Sequence, residues 1–136
     1  KQTNTGFKLA VLQDYFKLPL DDLIESYSTG MKKKLALLAV LKQDKPIYIL
    51  DEPFNGLDLE ANKILEIIIP LLKQKGKTVF ISSHILDPLL TCCDKIHLLK
   101  EGIFVKTFDK TTFAQIDAAL FDDLRSQAKQ AISQAI

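Results

Sequence analysis

Two adjacent carboxylates, Asp51 and Glu52, follow directly on the apolar run Ile47-Tyr48-Ile49-Leu50. A carboxylate in that place can hold a Mg²⁺ ion through water, and a second can orient or deprotonate an attacking water. The same pair is also an ordinary way to end a strand, and alone it decides neither reading. Ser28-Thr29-Gly30-Met31 stands at the head of an apolar segment. Exposed amides, the positive end of a helix and a hydroxyl make an anion site there, while Ser28 as a simple N-cap is the plainer alternative. Lys32, Lys33 and Lys34 add positive potential at that end, although a lysine run is more often a solvated face. Asn55-Gly56-Leu57-Asp58 follows the acidic pair; Asn-Gly makes a turn and Asp58 can cap the next helix. His84, after Ser82-Ser83, can meet a phosphate or simply cap.

One apparent motif is set aside. Gly76-Lys77-Thr78 has the ending of the phosphate-binding loop GxxxxGK[ST], but residue 71 is Leu and the segment runs from helix to strand. That loop runs from strand to helix, so the segment reads as a helix stop.

These residues need elements to position them. Apolar groups at Phe7, Val11, Leu12, Tyr15, Phe16 and Leu18 have near-helical spacing over 6–18, and Pro19 stops that segment. Asp21 or Asp22 can cap a short turn through Leu23 and Ile24. Ser28 offers the N-cap of a helix over about 30–41, apolar on nearly every face of its second half and so expected to be buried. The unbroken apolarity of 47–50 predicts a strand covered on both faces, as in a parallel sheet between helices. A helix over 59–75 follows, with Pro70 expected to bend or break it and Gly76 to end it. Thr78 to Ser82 is a second buried strand, and two such strands joined by a helix must pair in parallel with a right-handed crossover. A short helix over 86–93, strands at 95–99 and 103–105 about a Glu101-Gly102 turn, and a terminal amphipathic helix from Thr111 complete an α/β chain. That last helix carries Phe113, Ile116, Leu120, Leu124, Ala128, Ile132 and Ala135 as its apolar positions.

The chain has 136 residues, 47% of them hydrophobic, enough for one modest domain with a core. Eighteen basic against seventeen acidic residues leave +1, so no global charge calls for nucleic acid or an anionic membrane. The longest apolar run, Leu35 to Leu41, is too short to span a bilayer. Cys92 and Cys93 are adjacent, which writes neither a disulfide framework nor a CxxC metal pair; they read as buried thiols of a reducing cytosol.

Taken in order, Tyr27-Ser28-Thr29-Gly30-Met31, Ile47-Tyr48-Ile49-Leu50-Asp51-Glu52-Pro53, Asn55-Gly56-Leu57-Asp58 and Ile81-Ser82-Ser83-His84 resemble the ATP-binding cassette of ABC transporters. They look like its signature motif, Walker B strand, D-loop and switch histidine. Thr29 and Met31 stand where the family usually has Gly and Gln. The Walker A loop, Q-loop and adenine-stacking aromatic of the family all precede the signature. The resemblance therefore implies the C-terminal half of a parallel-sheet P-loop nucleotide-hydrolase core. It divides the chain into a helical subdomain remnant (1–26), the half-core (27–108) and a C-terminal helical extension (109–136).

By the same resemblance Asp51 supports Mg²⁺, Glu52 polarises the hydrolytic water and His84 contacts the γ-phosphate. Ser28, Thr29, Gly30 and Met31 join Asn55, Gly56, Leu57 and Asp58 as nucleotide-binding residues. Of these, Ser28 and Gly30 address the γ-phosphate of ATP held by the opposing subunit, and Asp58 bridges the dimer. The implied partners are a second ATP-binding subunit and transmembrane transporter subunits, with no nucleic acid. The implied place is the cytoplasmic face of the cell membrane. A non-catalytic half-cassette, acting as an interaction or regulatory module, is the alternative. An ABC-type role in translation or DNA repair is disfavoured by the lack of a basic stripe. Without the phosphate-cradling amides and lysine, Asp51 and Glu52 face a highly negative ligand, so the chain alone is expected to bind Mg-ATP poorly and to hydrolyse none.

Overall fold

In a computed structural model the described residues are 9–19 and 21–135. Gly6 and Phe7, at the start of the expected first helix, lie outside them. The chain divides into two compact units, one ending at Cys92 and the other starting at Cys93.

The first unit is built on a parallel β–α–β crossover. β1 (Ile47–Asp51) pairs with β2 (Thr78–Ser82) in a register that sets Asp51 beside Ser82, and α3 (Leu59–Gln74) connects them. α3 buries Ala61, Leu65, Ile68, Ile69 and Leu72, one stripe at helical spacing. Each large side chain fully buried there contributes about 1.5–3 kcal/mol. The expected break at Pro70 does not occur, and the helix runs on to Gln74. The ring removes the N–H that would meet the Glu66 carbonyl, but buried Ile69 and Leu72 on either side hold the backbone helical.

α3 then stops as its sequence dictates. Gly76 sits at φ +74°, its N–H donates to the Lys73 carbonyl and that of Lys77 to the Leu72 carbonyl. These two bonds are the Schellman closure. α4 (Leu86–Cys92) packs on α3.

Two expectations of burial fail in this unit. Tyr48 and Leu50 of β1 are buried, but Ile47 and Ile49 are 56% and 80% exposed, and Phe80 of β2 is also exposed. The helices of the unit cover one face of the sheet, whereas unbroken apolarity had implied two. α2 (Thr29–Lys42) likewise buries only Leu37, Leu38 and Leu41, leaving Ala36, Ala39 and Val40 exposed. α1 (Leu9–Phe16) packs against α2 and α3, anchored by buried Phe16. The turn after it, Ile24–Ser26, is preceded by Leu23 with no side-chain cap, so neither Asp21 nor Asp22 plays that part. Ser26 Oγ instead bonds the Leu23 carbonyl.

The second unit is an antiparallel hairpin, β3 (Lys95–Lys100) and β4 (Ile103–Asp109), followed by α5 (Ile116–Ala135). Glu101 and Gly102 both have positive φ, 51° and 79°, the backbone that suits a two-residue hairpin loop. β4 is longer than the expected 103–105. Thr107 and Phe108 extend the pairing to Asp109, and Phe108 is the strand's buried residue. α5 starts later than Thr111 because Asp109 Oδ1 accepts from the Thr111 amide and hydroxyl, forming a turn before the helix. Ile116 is buried while Leu124 and Ile132 are exposed. Cys92 is buried and Cys93 half-buried. Among the described residues no helix is long and apolar enough to cross a membrane.

Candidate functional site

The carboxyl ends of β1 and β2 gather the acidic pair and the histidine, the place where open parallel sheets bind ligands. Ser82, level with Asp51 in the register, donates its hydroxyl hydrogen to Asp51 Oδ1. The Glu52 amide donates to the Ser82 carbonyl at 3.0 Å, with Ser82 Oγ 3.3 Å away. Glu52 itself sits at φ +45°. A non-glycine residue held there costs on the order of 1–3 kcal/mol and persists only where its surroundings over-determine it.

The conformation aims the Glu52 carboxylate back at β2. Glu52 Oε1 accepts from the His84 amide at 3.1 Å and lies 2.9 Å from His84 Nδ1. A carboxylate has no proton to give, so Nδ1 carries the hydrogen of this contact, leaving Nε2 for an external partner. Glu52 Oε2 is buried and meets no hydrogen-bond partner among the described residues.

A second group forms where α2 begins. Ser28 is the N-cap: its Oγ accepts from the Met31 amide at 3.2 Å, and its carbonyl accepts from the Lys32 amide. Thr29 and Gly30 are the first helical residues, whose amides have no acceptor within the helix. Gly30 lies close to Gly56: a Cβ there would stand 3.1 Å from the Gly56 carbonyl oxygen, tighter than such contacts ordinarily come. The head of α2 thus lies on the Asn55-Gly56-Leu57-Asp58 turn. The turn before it, Glu52 to Asn55, closes with the Asn55 amide on the Glu52 carbonyl at 3.2 Å, over a fully buried Phe54. Gly56 takes φ +74°, as the Asn-Gly pair predicts.

Asp58 caps α3. Its Oδ1 accepts from the Ala61 amide at 2.8 Å, and its Oδ2 pairs with Lys34 Nζ at 2.5 Å. The Lys34 ammonium, and then the Ala61 amide, hold the Asp58 carboxyl below the usual carboxylate range.

Of the candidate site residues, Asp51, Glu52 and His84 fall in the first group, and Ser28, Thr29, Gly30, Met31 and the Asn55-Gly56-Leu57-Asp58 turn in the second. The structure joins Glu52 to His84 directly and Gly30 to the D-loop-like turn, but no hydrogen bond among the described residues links Ser28 or Met31 with the acidic pair. Sequence reasoning missed Ser82 as the partner of Asp51, and it took the lysine run for potential or solvated surface. Lys32 is exposed, but Lys33 and Lys34 are half-buried and bonded. Their spacing from Gly30, three and four residues, is the signal that puts them on one helix face.

Asp51 and Ser82 offer hard oxygen donors of the kind Mg²⁺ takes. No cluster of three or more His, Cys, Asp or Glu able to cage a metal occurs among the described residues. The donor set therefore fits an ion held by one carboxylate, with water and phosphate completing its shell, as Mg²⁺ is in phosphoryl-transfer sites.

Fold and site together define an α/β domain of the P-loop nucleotide-hydrolase class. A family model described as "AAA domain, putative AbiEii toxin, Type IV TA system" matches residues 6–90. The chain is 38% identical over 101 residues to a "Putative ABC transporter ATP-binding protein" of Pyrococcus furiosus, covering 74% of this chain and 36% of that protein. It is 36% identical over 85 residues to the bacitracin transport ATP-binding protein BcrA of Enterococcus faecalis, covering 62% and 28%. A solved structure of an ATP-binding subunit of an ABC transporter superposes with TM-score 0.72 at 29% identity, over 93% of this chain and 49% of that one. The chain belongs to the AAA-domain family that this model describes, and the relatives and the solved structure it resembles are ATP-binding proteins of ABC transporters. It spans between about a quarter and a half of the length of these relatives.

Proposed function

We propose that this chain supplies the hydrolytic end of an ATP-hydrolysing transporter subunit, the phosphate-cradling loop coming from other polypeptide. The observation that carries this is Glu52 Oε2, buried without a hydrogen-bond partner among the described residues while Oε1 is pinned by His84. A carboxylate so held has one oxygen turned to an attacking water and needs no reorganisation to accept its proton. His84, oriented through Nδ1, keeps Nε2 for the γ-phosphate, to which it donates when both ring nitrogens carry a proton. Asp51, fixed by the Ser82 hydroxyl, is the residue that would hold Mg²⁺; when bound, that ion neutralises charge on the phosphates. The first-turn amides of Thr29 and Gly30, with Ser28, form the anion site that addresses a γ-phosphate on an opposing subunit. Met31 completes that turn. Asn55, Gly56, Leu57 and Asp58 form the loop between the two sites.

In this reading 1–26 is the remnant of a helical subdomain, 27–108 the half-core and 109–136 an extension. The partners are a second ATP-binding subunit and the membrane subunits whose cytoplasmic side they serve. A solved ATP-binding cassette of the same fold is itself a dimer bound to ADP and Pi.

The test is Glu52→Gln in the complete subunit. Loss of the base lowers kcat by about 10²–10⁴-fold while ATP still binds; unchanged turnover refutes the assignment. The chain alone should bind Mg-ATP weakly, because Asp51 and Glu52 repel the polyphosphate, and tight binding by calorimetry would contradict that part.

A further inference from the structure

Lys33 occupies a place that the assignments above leave without a role. Its Nζ donates to the Glu52 carbonyl at 2.8 Å and also to the Asn55 carbonyl. Lys34 reaches a side chain, Asp58, whereas both acceptors of Lys33 are main-chain oxygens at the two ends of one turn. An ammonium has three donors and no acceptor, so this one ties two backbone points together. One of those points is the peptide of Glu52, the residue held at positive φ. The Glu52 carbonyl accepts from the Asn55 amide as well, so the turn is closed from within and clamped from α2. Gly30, three residues before Lys33, lies against Gly56, the next residue after that turn, giving the helix an adjoining foothold beside it.

We propose that Lys33 is a positioning residue for hydrolysis: it clamps the Glu52–Asn55 turn to the head of α2 and keeps the Glu52 carboxylate aimed at His84. The inference rests on the role given to Glu52 above. Without the clamp the strained peptide of Glu52 relaxes, its carboxylate loses register with the water, and binding of nucleotide is left largely intact. A misplacement near 1 Å is enough for a large rate loss.

The test uses the complete ATP-binding subunit with Lys33→Met, Lys33→Arg and, as an exposed control on the same helix, Lys42→Met. Lys33→Met is expected to lower kcat by about ten- to a hundredfold with KM for ATP changed less than about threefold. Lys33→Arg, which keeps charge and donors, should restore most of the rate, and Lys42→Met should leave it unchanged. Equal changes in kcat and KM, no change in kcat, or no rescue by arginine overturns the proposal. Hydrogen exchange supplies a readout independent of turnover: the Asn55 amide should exchange at least about tenfold faster in the methionine variant, with Leu65 in α3 unchanged. If the methionine variant does not fold, Lys33→Gln carries both measurements. Unaltered exchange at Asn55 removes the clamp. Normal turnover in Glu52→Gln removes only the role of Glu52, since the exchange result still stands.

Discussion

Asp58 joins two interactions whose worth can be separated by substitution. Alanine there removes the cap acceptor for the Ala61 amide and the partner of Lys34 together. Loss of an aspartate N-cap costs about 1 kcal/mol. The ion pair adds little through its outer partner, since Asp58 is 57% exposed and solvent screens it to about 0.2–1 kcal/mol. Lys34, 12% exposed, is then left with the Phe16 carbonyl at 3.5 Å, which places the total near 1–2 kcal/mol. Asparagine keeps an oxygen for the Ala61 amide and discards the charge, so it should lose only the smaller part. Urea unfolding at pH 7, followed by helical circular dichroism, reads the difference. With a slope of about 2 kcal/mol per molar, Asp58→Ala should lower the midpoint by roughly 0.5–1 M and Asp58→Asn by roughly half of that or less.

The pH dependence carries a sign. The Asp58 carboxyl is held below its ordinary range in the folded chain by Lys34 and the Ala61 amide. A depressed folded value adds stability above the unfolded value, and that stability is lost as pH falls through the folded one. The gap between wild type and Asp58→Asn should therefore narrow below the ordinary carboxylate range, and added salt should shrink it at neutral pH. Equal losses for asparagine and alanine, or a gap independent of pH, would refute the division into cap and charge.

Three further outcomes are expected from stability measurements. Gly76→Ala should cost about 1 kcal/mol, because φ is +74° there and no neighbour lies within 4 Å to be relieved or filled. Glu101→Asn should stabilise the β3–β4 hairpin by about 0.5 kcal/mol, since asparagine tolerates the left-handed backbone at φ 51° better than glutamate. Tyr48→Phe should be neutral or stabilising by up to about 1 kcal/mol, since the Tyr48 hydroxyl is buried without a hydrogen-bond partner among the described residues. A loss above that size would mean the hydroxyl has a partner. All three can be read by denaturant midpoints.

The order of elements, and the caps and turn that lie beside the candidate site, were legible in the chain itself because they rest on short-range physics. Ser28, Asp58 and Gly76 cap or stop helices through bonds to residues at most four positions away, and the Asn55-Gly56 turn follows from backbone freedom at one glycine. What the tertiary structure decided lies at longer separation. The bond between Glu52 and His84 spans 32 residues, and that between Lys33 and Glu52 spans 19; each exists only because the crossover through α3 and the seating of α2 bring those residues together. The helix runs through Pro70 unbroken for the same reason, since burial on either side outweighs a missing hydrogen bond. Coverage of the sheet could not be read from Ile47 to Leu50 at all: apolarity states what a strand tolerates, and which face meets a helix is settled by where the connecting chain runs.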